Sequence, residues 1–178
     1  MFSNFLNFFM SSKLKYTKRS DDIYLDFVLN FSGQVFGNGI FRVSNVSELI
    51  SMKNMVKEGF HELSDEVRVI GFDWLGRVFI SGDEKKKKIY MCDIGAHEIL
   101  EIPTSFLDFV NKEIPMYAEE VLAVSFFNEW TKTGNGAPEY NECIGYKVPL
   151  FLGGADDVEN LDKIDLNVYW SIMGQLWG

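Results

Sequence analysis

Apolar residues recur at spacings of three and four near the start of the chain, a period that is typical of one buried helix face. The first such stretch covers residues 20–31 and is followed by Gly33, a residue type that commonly ends helices. Its apolar positions are Tyr24, Phe27, Val28 and Phe31. A second helix is predicted over residues 46–59, where Asn45 and Glu48 have the spacing of a capping box.

Further helices are predicted in the second half of the chain. Ser105 and Asp108 again have capping-box spacing, and the helix they begin should end or kink at Pro115. A second amphipathic stretch follows, and its core-facing stripe is expected to consist of Leu122, Phe126 and Trp130. Asp165 is placed to cap a terminal helix. On that helix Val168, Ile172 and Leu176 share a face, with Tyr169 and Met173 beside them.

Short β-type runs occupy the middle of the chain. The segment QVFGNGIFRV indicates a strand interrupted or turned by glycines. Four further runs, rich in β-branched and aromatic residues and separated by turn residues, predict an antiparallel meander. These runs are EVRVIGF, RVFIS, KIYMCDI and EILEIP. The basic residues 85–88 lie in one of the turns and are interpreted as a solvated loop tip.

Towards the C-terminus, KVPLFLGG is short and apolar, and its Pro149 favours an edge or irregular position. The following ADDVENLDKID is interpreted as an acidic connector. Taken together, the elements predict an α+β fold, a single domain with a central, mainly antiparallel sheet flanked by helices.

One domain also agrees with the length of 178 residues and the hydrophobic content of 47%. Residues 1–19 are interpreted as a basic and apolar arm that precedes a domain of residues 20–178. The arm does not fit an export signal, because Asn4 and Asn7 interrupt its apolar run and its basic residues follow that run. We expect it to pack on the domain as a short amphipathic or frayed segment, in preference to anchoring at a membrane surface. The prediction is a cytoplasmic protein without a membrane span.

The formal net charge of −9 indicates which kind of partner the protein can attract. Such a field repels nucleic-acid phosphates and attracts basic proteins, so we expect a basic protein partner and no direct nucleic-acid binding. The arm contains four basic residues and no acid, which leaves the domain itself more acidic than the total.

Catalytic chemistry is poorly represented in the sequence. His61 and His97 are the only histidines and stand in no recognised motif, and Cys92 and Cys143 lack neighbours at metal-ligand spacing. We therefore expect free, reduced thiols, no metal, no cofactor and no enzymatic activity. Paired carboxylates could serve a glycosidase or a metal-dependent nuclease, but solvated surface is the simpler interpretation. These pairs are Asp21 with Asp22, Glu119 with Glu120, and Asp156 with Asp157.

Acidic loops are the best candidates for contact with a basic partner, since recognition is commonly carried by loops on a rigid scaffold. The acidic candidates are Asp156, Asp157, Glu159, Glu139 and Glu142. Trp74 and Arg77, in a predicted hairpin corner, are weaker candidates for an anchoring contact because Trp and Arg are frequent in binding hot spots. A buried corner tryptophan is the alternative interpretation.

Five strings in order carry a resemblance to a known family. They are FGNGIFRV, VIGFDWLGRVFISG, ILEIPTSFLDF, ECIGYKVPLFLGGADDVENL and NVYWSIMGQL. The chain resembles, over residues 20–178, the GAD-like and type VI secretion immunity proteins related to the SUKH (Smi/Knr) superfamily. The arm and the lysine run at residues 85–88 do not belong to the pattern.

The resemblance implies an α+β fold with a largely antiparallel sheet, in agreement with the reading of the residues. It also implies an immunity protein that binds and neutralises a bacterial toxin, possibly a secreted nuclease effector. The alternative is an intracellular SUKH-type regulatory or scaffolding protein without a toxin partner. Fold alone does not identify the toxin, because one scaffold serves different partners.

Overall fold

The computed structural model describes residues 1–11, 13–82 and 88–178. Residues 85–87 of the lysine run lie outside the described residues. The helices are α1 (Ser3–Phe8), α2 (Ile23–Phe31), α3 (Leu49–Gly59), α4 (Phe106–Asp108), α5 (Ile114–Met116), α6 (Ala118–Leu122), α7 (Val124–Lys132) and α8 (Leu166–Trp177). The strands are β1 (Val35–Phe36), β2 (Phe41–Val43), β3 (Arg68–Asp73), β4 (Val78–Ser81), β5 (Ile89–Asp93), β6 (Glu98–Ile102), β7 (Glu142–Tyr146) and β8 (Leu161–Asp165).

The main sheet has six antiparallel strands in the order β1-β2-β3-β4-β5-β6, so the predicted α+β fold with a meander is confirmed. The glycines of the GNG segment turn β1 into β2, as expected. Gly71 marks a register shift between β3 and β4. A Cβ at this position would lie 2.2 Å from the carbonyl oxygen of Arg42, so the close approach of β2 and β3 requires glycine here.

Each face of the main sheet carries its own apolar cluster, because successive strand residues point to opposite sides. Phe41, Ile70 and Phe79 pack with helices α1, α2 and α4–α7. Val78 and Ile80 pack on the other face with α3 and α8. The molecule is thus a helix–sheet–helix arrangement with β7 and β8 at one side.

Helix α1 confirms that the N-terminal segment packs on the domain. Phe2 and Phe5 are fully buried and make edge-on ring contacts with Phe27 of α2 at 5.1 and 5.2 Å. Burying one such side chain contributes about 2 kcal/mol relative to leaving it in water. Asp26 holds the following segment on α2, because it accepts hydrogen bonds from the Tyr16 hydroxyl at 2.5 Å and the Arg19 amide at 2.6 Å.

The start of α3 departs from the predicted capping box. Asn45 accepts the amide of Ser47 at 3.1 Å, as a cap should. The Glu48 carboxylate does not accept a hydrogen bond from the backbone amide of Asn45, as a capping box requires. Tyr140 stands between them instead: its hydroxyl accepts from the Asn45 amide at 2.7 Å and donates to Glu48 at 2.8 Å. A residue 92 positions away in sequence therefore completes this helix start.

The helical region after β6 follows its prediction in part. Ser105 caps α4 by accepting the amide of Asp108. Pro115 does not end the helix, because the π-helical turn Phe109–Glu113 lets the chain continue to Met116. A left-handed residue, Ala123 with φ of 49°, breaks the next stretch into α6 and α7.

This break changes which aromatic residue faces the core. The predicted stripe placed Phe126 in line with Leu122 and Trp130, but Phe126 is only partly buried and Phe127 is 5% exposed. Leu122 and Trp130 are buried as expected. The prediction for Phe126 was wrong because the spacing of four assumed one continuous helix.

The connector predicted from ADDVENLDKID was also wrong in part. Its second half is strand β8, which pairs with β7 from Glu142–Asp165 to Tyr146–Leu161 in a separate two-stranded sheet. Pro149 lies outside this ladder, in irregular structure, as predicted. The strand was missed because its residues LDKID are mostly polar and half-exposed, and pairing with β7 overrides their weak β-propensity.

Buried polar groups join the two sheets. Arg42 is 0% exposed and donates to the carbonyl oxygens of Asp73 at 3.1 Å and Glu142 at 2.6 Å. The amide of Ile144 donates to the carbonyl of Trp74 at 2.7 Å. Burial lowers the pKa of the Arg42 guanidinium to about 10, so it stays charged at neutral pH. The β7–β8 sheet is therefore fixed against the main sheet through its backbone.

Candidate partner-binding surface

The sequence-derived anchoring residues are scaffold residues in this structure. Trp74 is fully buried, and its Nε1 donates to the carbonyl of Leu122 at 2.9 Å. Arg77 is 8% exposed, pairs with Asp73 at 2.6 Å and donates to the carbonyl of Val121 at 3.1 Å. Burial raises the pKa of the Asp73 carboxyl, and the Arg77 guanidinium opposes that shift. Neither side chain is accessible to a partner here, which corrects the hypothesis of an anchor; both fasten the β3–β4 turn to α6.

The acidic loop after β7 is exposed, but two of its carboxylates have structural partners. Asp156 accepts the hydroxyl of Tyr146 at 2.6 Å. Asp157 caps a short 3₁₀ turn by accepting the amides of Glu159 and Asn160 at 3.1 and 3.0 Å. The carboxylate of Glu159 is exposed. Of these three acidic candidates, Glu159 is the one whose carboxylate the loop geometry does not use.

Glu139 and Glu142 lie together at the start of β7. Glu142 accepts the backbone amide of Glu139 at 3.0 Å and its carboxylate lies 3.7 Å from the ammonium of Lys163. Glu142 is half-buried, whereas Glu139 is exposed. The charge of Glu142 is partly balanced by Lys163, so Glu139 offers the freer carboxylate of the two.

Helix α8 presents an apolar stripe that sequence reasoning did not single out as a contact surface. The side chains predicted to share a face, Val168, Ile172 and Leu176, do so, but they are between 42% and 49% exposed. The buried face of α8 is formed by Leu166, Tyr169, Trp170 and Met173. Nearly the whole helix is apolar, so its period does not show which side is covered. The available signal was the complete absence of charged residues from LNVYWSIMGQLW.

The acidic loop and α8 form one rigid unit. The Tyr169 hydroxyl accepts the amide of Tyr146 at 3.3 Å, and the Tyr146 hydroxyl reaches Asp156. Gly145 permits this contact, since a Cβ there would lie 2.4 Å from the Tyr169 ring. At 100° per residue, the apolar stripe lies on the flank of α8 next to Tyr169, away from the flank that meets α3. Phe151 contacts the helix end through Trp177 at a ring distance of 5.1 Å.

We name the exposed part of this unit the C-terminal surface. It comprises Asp156, Asp157, Glu159, Asp162, Val168, Ile172 and Leu176. An apolar stripe with charged groups at its side is the composition expected of a protein-binding patch.

The described residues offer few metal-ligand groups and few reactive cysteine or histidine side chains. No group of three or more His, Cys, Asp or Glu residues among them lies close enough to hold a metal ion. Cys92 and Cys143 are buried and free, and burial raises the pKa of the Cys92 thiol to about 12. The Nε2 of His97 donates to the Gly59 carbonyl at 3.1 Å, and the ring stacks on Trp177. In the described part of the chain, no helix has both the length and the apolar character needed to cross a bilayer.

Comparison with known proteins gives a match to one family and matches to solved structures. Residues 103–177 match the family described as T6SS immunity protein Tdi1, C-terminal, and this confirms the resemblance to type VI secretion immunity proteins for that part of the chain. The fold is similar to the crystal structure of Atu4351 from Agrobacterium tumefaciens, with a TM-score of 0.61 and 19% identity over 90% of this chain and 77% of that one. No curated protein matches the sequence. The whole C-terminal surface falls within the matched residues.

Proposed function

We propose, from the match of residues 103–177 to a type VI secretion immunity family, that this protein is an immunity protein which binds and neutralises a bacterial toxin. The family match is the observation that carries the proposal. Neutralisation by binding requires a contact surface and no catalytic group. The protein is expected to act in the cytoplasm, in stoichiometric complex with its toxin.

The C-terminal surface is the contact region that the geometry supports best. It is fixed to the scaffold by hydrogen bonds of Tyr146 and Tyr169, so little ordering free energy is lost on binding. The exposed stripe of α8 supplies apolar area, and the loop carboxylates supply negative charge. Glu139 lies in the loop just before β7, where its amide donates to Glu142, and adds a further exposed carboxylate.

A basic toxin would complement the charge of this surface, and a nuclease is the class of basic toxin that we propose. A nuclease groove is positively charged because it binds phosphates, so the carboxylates of the C-terminal surface would occupy positions that phosphates otherwise take. The long-range field of a chain with charge −9 would speed the encounter.

Co-expression tests the proposal. The product of the gene adjacent to this one is produced in a susceptible bacterium with and without this protein, and growth is measured. We expect growth to be restored by the wild-type chain and to be lost with Ile172→Asp combined with Glu159→Lys. A matched variant, Leu29→Asp with Glu129→Lys, changes equally exposed residue types elsewhere and should still protect. If the wild-type chain protects against no such toxin, it is the SUKH-type regulatory or scaffolding alternative that gains support.

A further inference from the structure

Strand β6 is an open edge of the main sheet. It pairs with β5 along one side, from Ile89–Ile102 to Asp93–Glu98, and it is the last strand in the sheet order. Within the described residues no other strand pairs with it. An edge strand of this kind presents backbone N–H and C=O groups that an added strand can use.

A groove runs beside this edge, between β6 and the helices α5 and α6. Its volume is about 300 Å³. The floor is apolar and is formed by Met91, Leu100 and Ile102. Tyr117 and Val121 form part of the opposite wall. Leu100 is 47% exposed and Tyr117 is 48% exposed, so an apolar side chain could be buried against both.

The charged residues that line this groove are all acidic. Glu113 and Glu120 stand on its helical wall. Glu98 and Glu101 lie on β6 itself, where Lys88 pairs with Glu101 at 2.7 Å. No lysine or arginine lines the groove among the residues that the structure describes.

The same charges select against a second copy of this chain. Two β6 strands placed side by side would bring their glutamates together, and like charges on neighbouring strands are destabilising. A strand added to β6 would turn every second side chain into the groove, because successive strand residues point to opposite faces of a sheet. Its apolar groove-facing side chains would lie on the floor, and a lysine or arginine among them would reach Glu113 and Glu120 on the helical wall.

We propose that the β6 edge and its groove bind an extended, basic segment of a partner protein by strand addition, with every second side chain, apolar or basic, entering the groove. Main-chain hydrogen bonds to β6 supply the affinity, and the apolar floor with its acidic wall selects the sequence. This site is separate from the C-terminal surface and does not depend on toxin neutralisation.

Binding of model peptides tests this site directly. The probe is a short extended peptide in which every second residue is in turn valine or lysine, with threonine between them, and its counterpart has glutamate in place of lysine. We expect the basic peptide alone to bind, with slowed amide hydrogen exchange confined to β6 of the full-length protein. Glu113→Lys combined with Glu120→Lys should weaken binding about tenfold, and Leu100→Asn should weaken it further. Glu120 and Leu100 are exposed and Glu113 is half-buried, so circular dichroism and thermal unfolding should stay close to the wild type.

The matched control makes an equal change of charge on the C-terminal surface, with Glu159→Lys and Asp162→Lys. If that pair weakens peptide binding as much as the groove pair, net charge and not the groove controls binding, and the proposal is wrong. It is equally wrong if protection appears outside β6, or if the protein dimerises through β6 in the absence of peptide. If the wild-type protein binds the basic peptide but does not protect cells from the toxin, the proposed immunity function is wrong and the proposed β6 site is unaffected.

Discussion

Asp26 is a buried carboxylate whose charge is held by its neighbours. Burial alone would raise its pKa, but the Tyr16 hydroxyl and the amides of Arg19 and Ser20 donate to it and keep its pKa below the usual value. These donors belong to the segment between α1 and α2. The ionised form of Asp26 therefore holds the N-terminal segment on the domain.

Asp26 should make stability depend on acid pH. Its folded pKa lies below its unfolded value of about 4, so its contribution is complete above that pH and is lost as the pH falls through the folded pKa. Asp26→Asn should cost about 2 kcal/mol at pH 7, because the hydrogen bonds to a charged acceptor are lost. Urea unfolding at pH 7 and at pH 3 measures this. The difference between variant and wild type should shrink at pH 3, and an unchanged difference would contradict the role of the charge.

Helix boundaries and caps were predictable where the deciding residues are local. Asp165 caps α8 with its own side chain, as predicted, and the meander follows from four strands joined by short turns. Helix α2 was predicted from residue 20 but begins at Ile23, after its cap Asp22. Other features depend on distant residues. Tyr140 completes the start of α3, and β8 exists only because β7 pairs with it.

The candidate site was harder to predict than the fold. The acidic loop could be found by charge, but the structural use of Asp156 and Asp157 depends on Tyr146 and on the local turn. Trp74 was ambiguous because a tryptophan in a turn is equally suited to a core or to an interface. The exposed stripe of α8 was hidden by the apolar character of its other face.

The break at Ala123 can be tested by comparing two adjacent aromatic residues of α7. Phe127 is buried beside Trp74 at a ring distance of 5.3 Å, whereas Phe126 is only partly buried. Phe127→Ala should cost about 3–5 kcal/mol, and Phe126→Ala clearly less. Chemical denaturation of both variants measures the difference. Equal losses would mean that α6 and α7 form one continuous stripe in solution.

Charge acts over the molecule as a whole, and the structure shows which charges can be altered safely. Reversing Asp156 and Asp157 would break the bond to Tyr146 and the cap of the 3₁₀ turn, so a loss of binding would be mixed with a loss of stability. Glu159 and Asp162 are exposed and make only local contacts. They are the better residues with which to test electrostatic steering.

Glu159→Lys combined with Asp162→Lys should slow association with a basic toxin about tenfold at low salt and flatten its dependence on ionic strength. Stopped-flow binding at several salt concentrations provides the measurement. Glu66→Lys with Glu129→Lys changes the net charge by the same amount at exposed positions elsewhere, and should have a smaller effect. If both pairs slow association equally, net charge dominates and the C-terminal surface has no special part in the encounter.

The bonds that join the main sheet to α6 and to β7 share a property that bears on how this fold tolerates sequence change. Arg42, Arg77 and Trp74 reach across to main-chain carbonyl oxygens of residues 121, 122 and 142. A carbonyl oxygen is present whatever side chain the residue carries. Side chains in residues 103–177 can therefore change without removing these acceptors, so a binding surface in this region can change its sequence while the fold is kept.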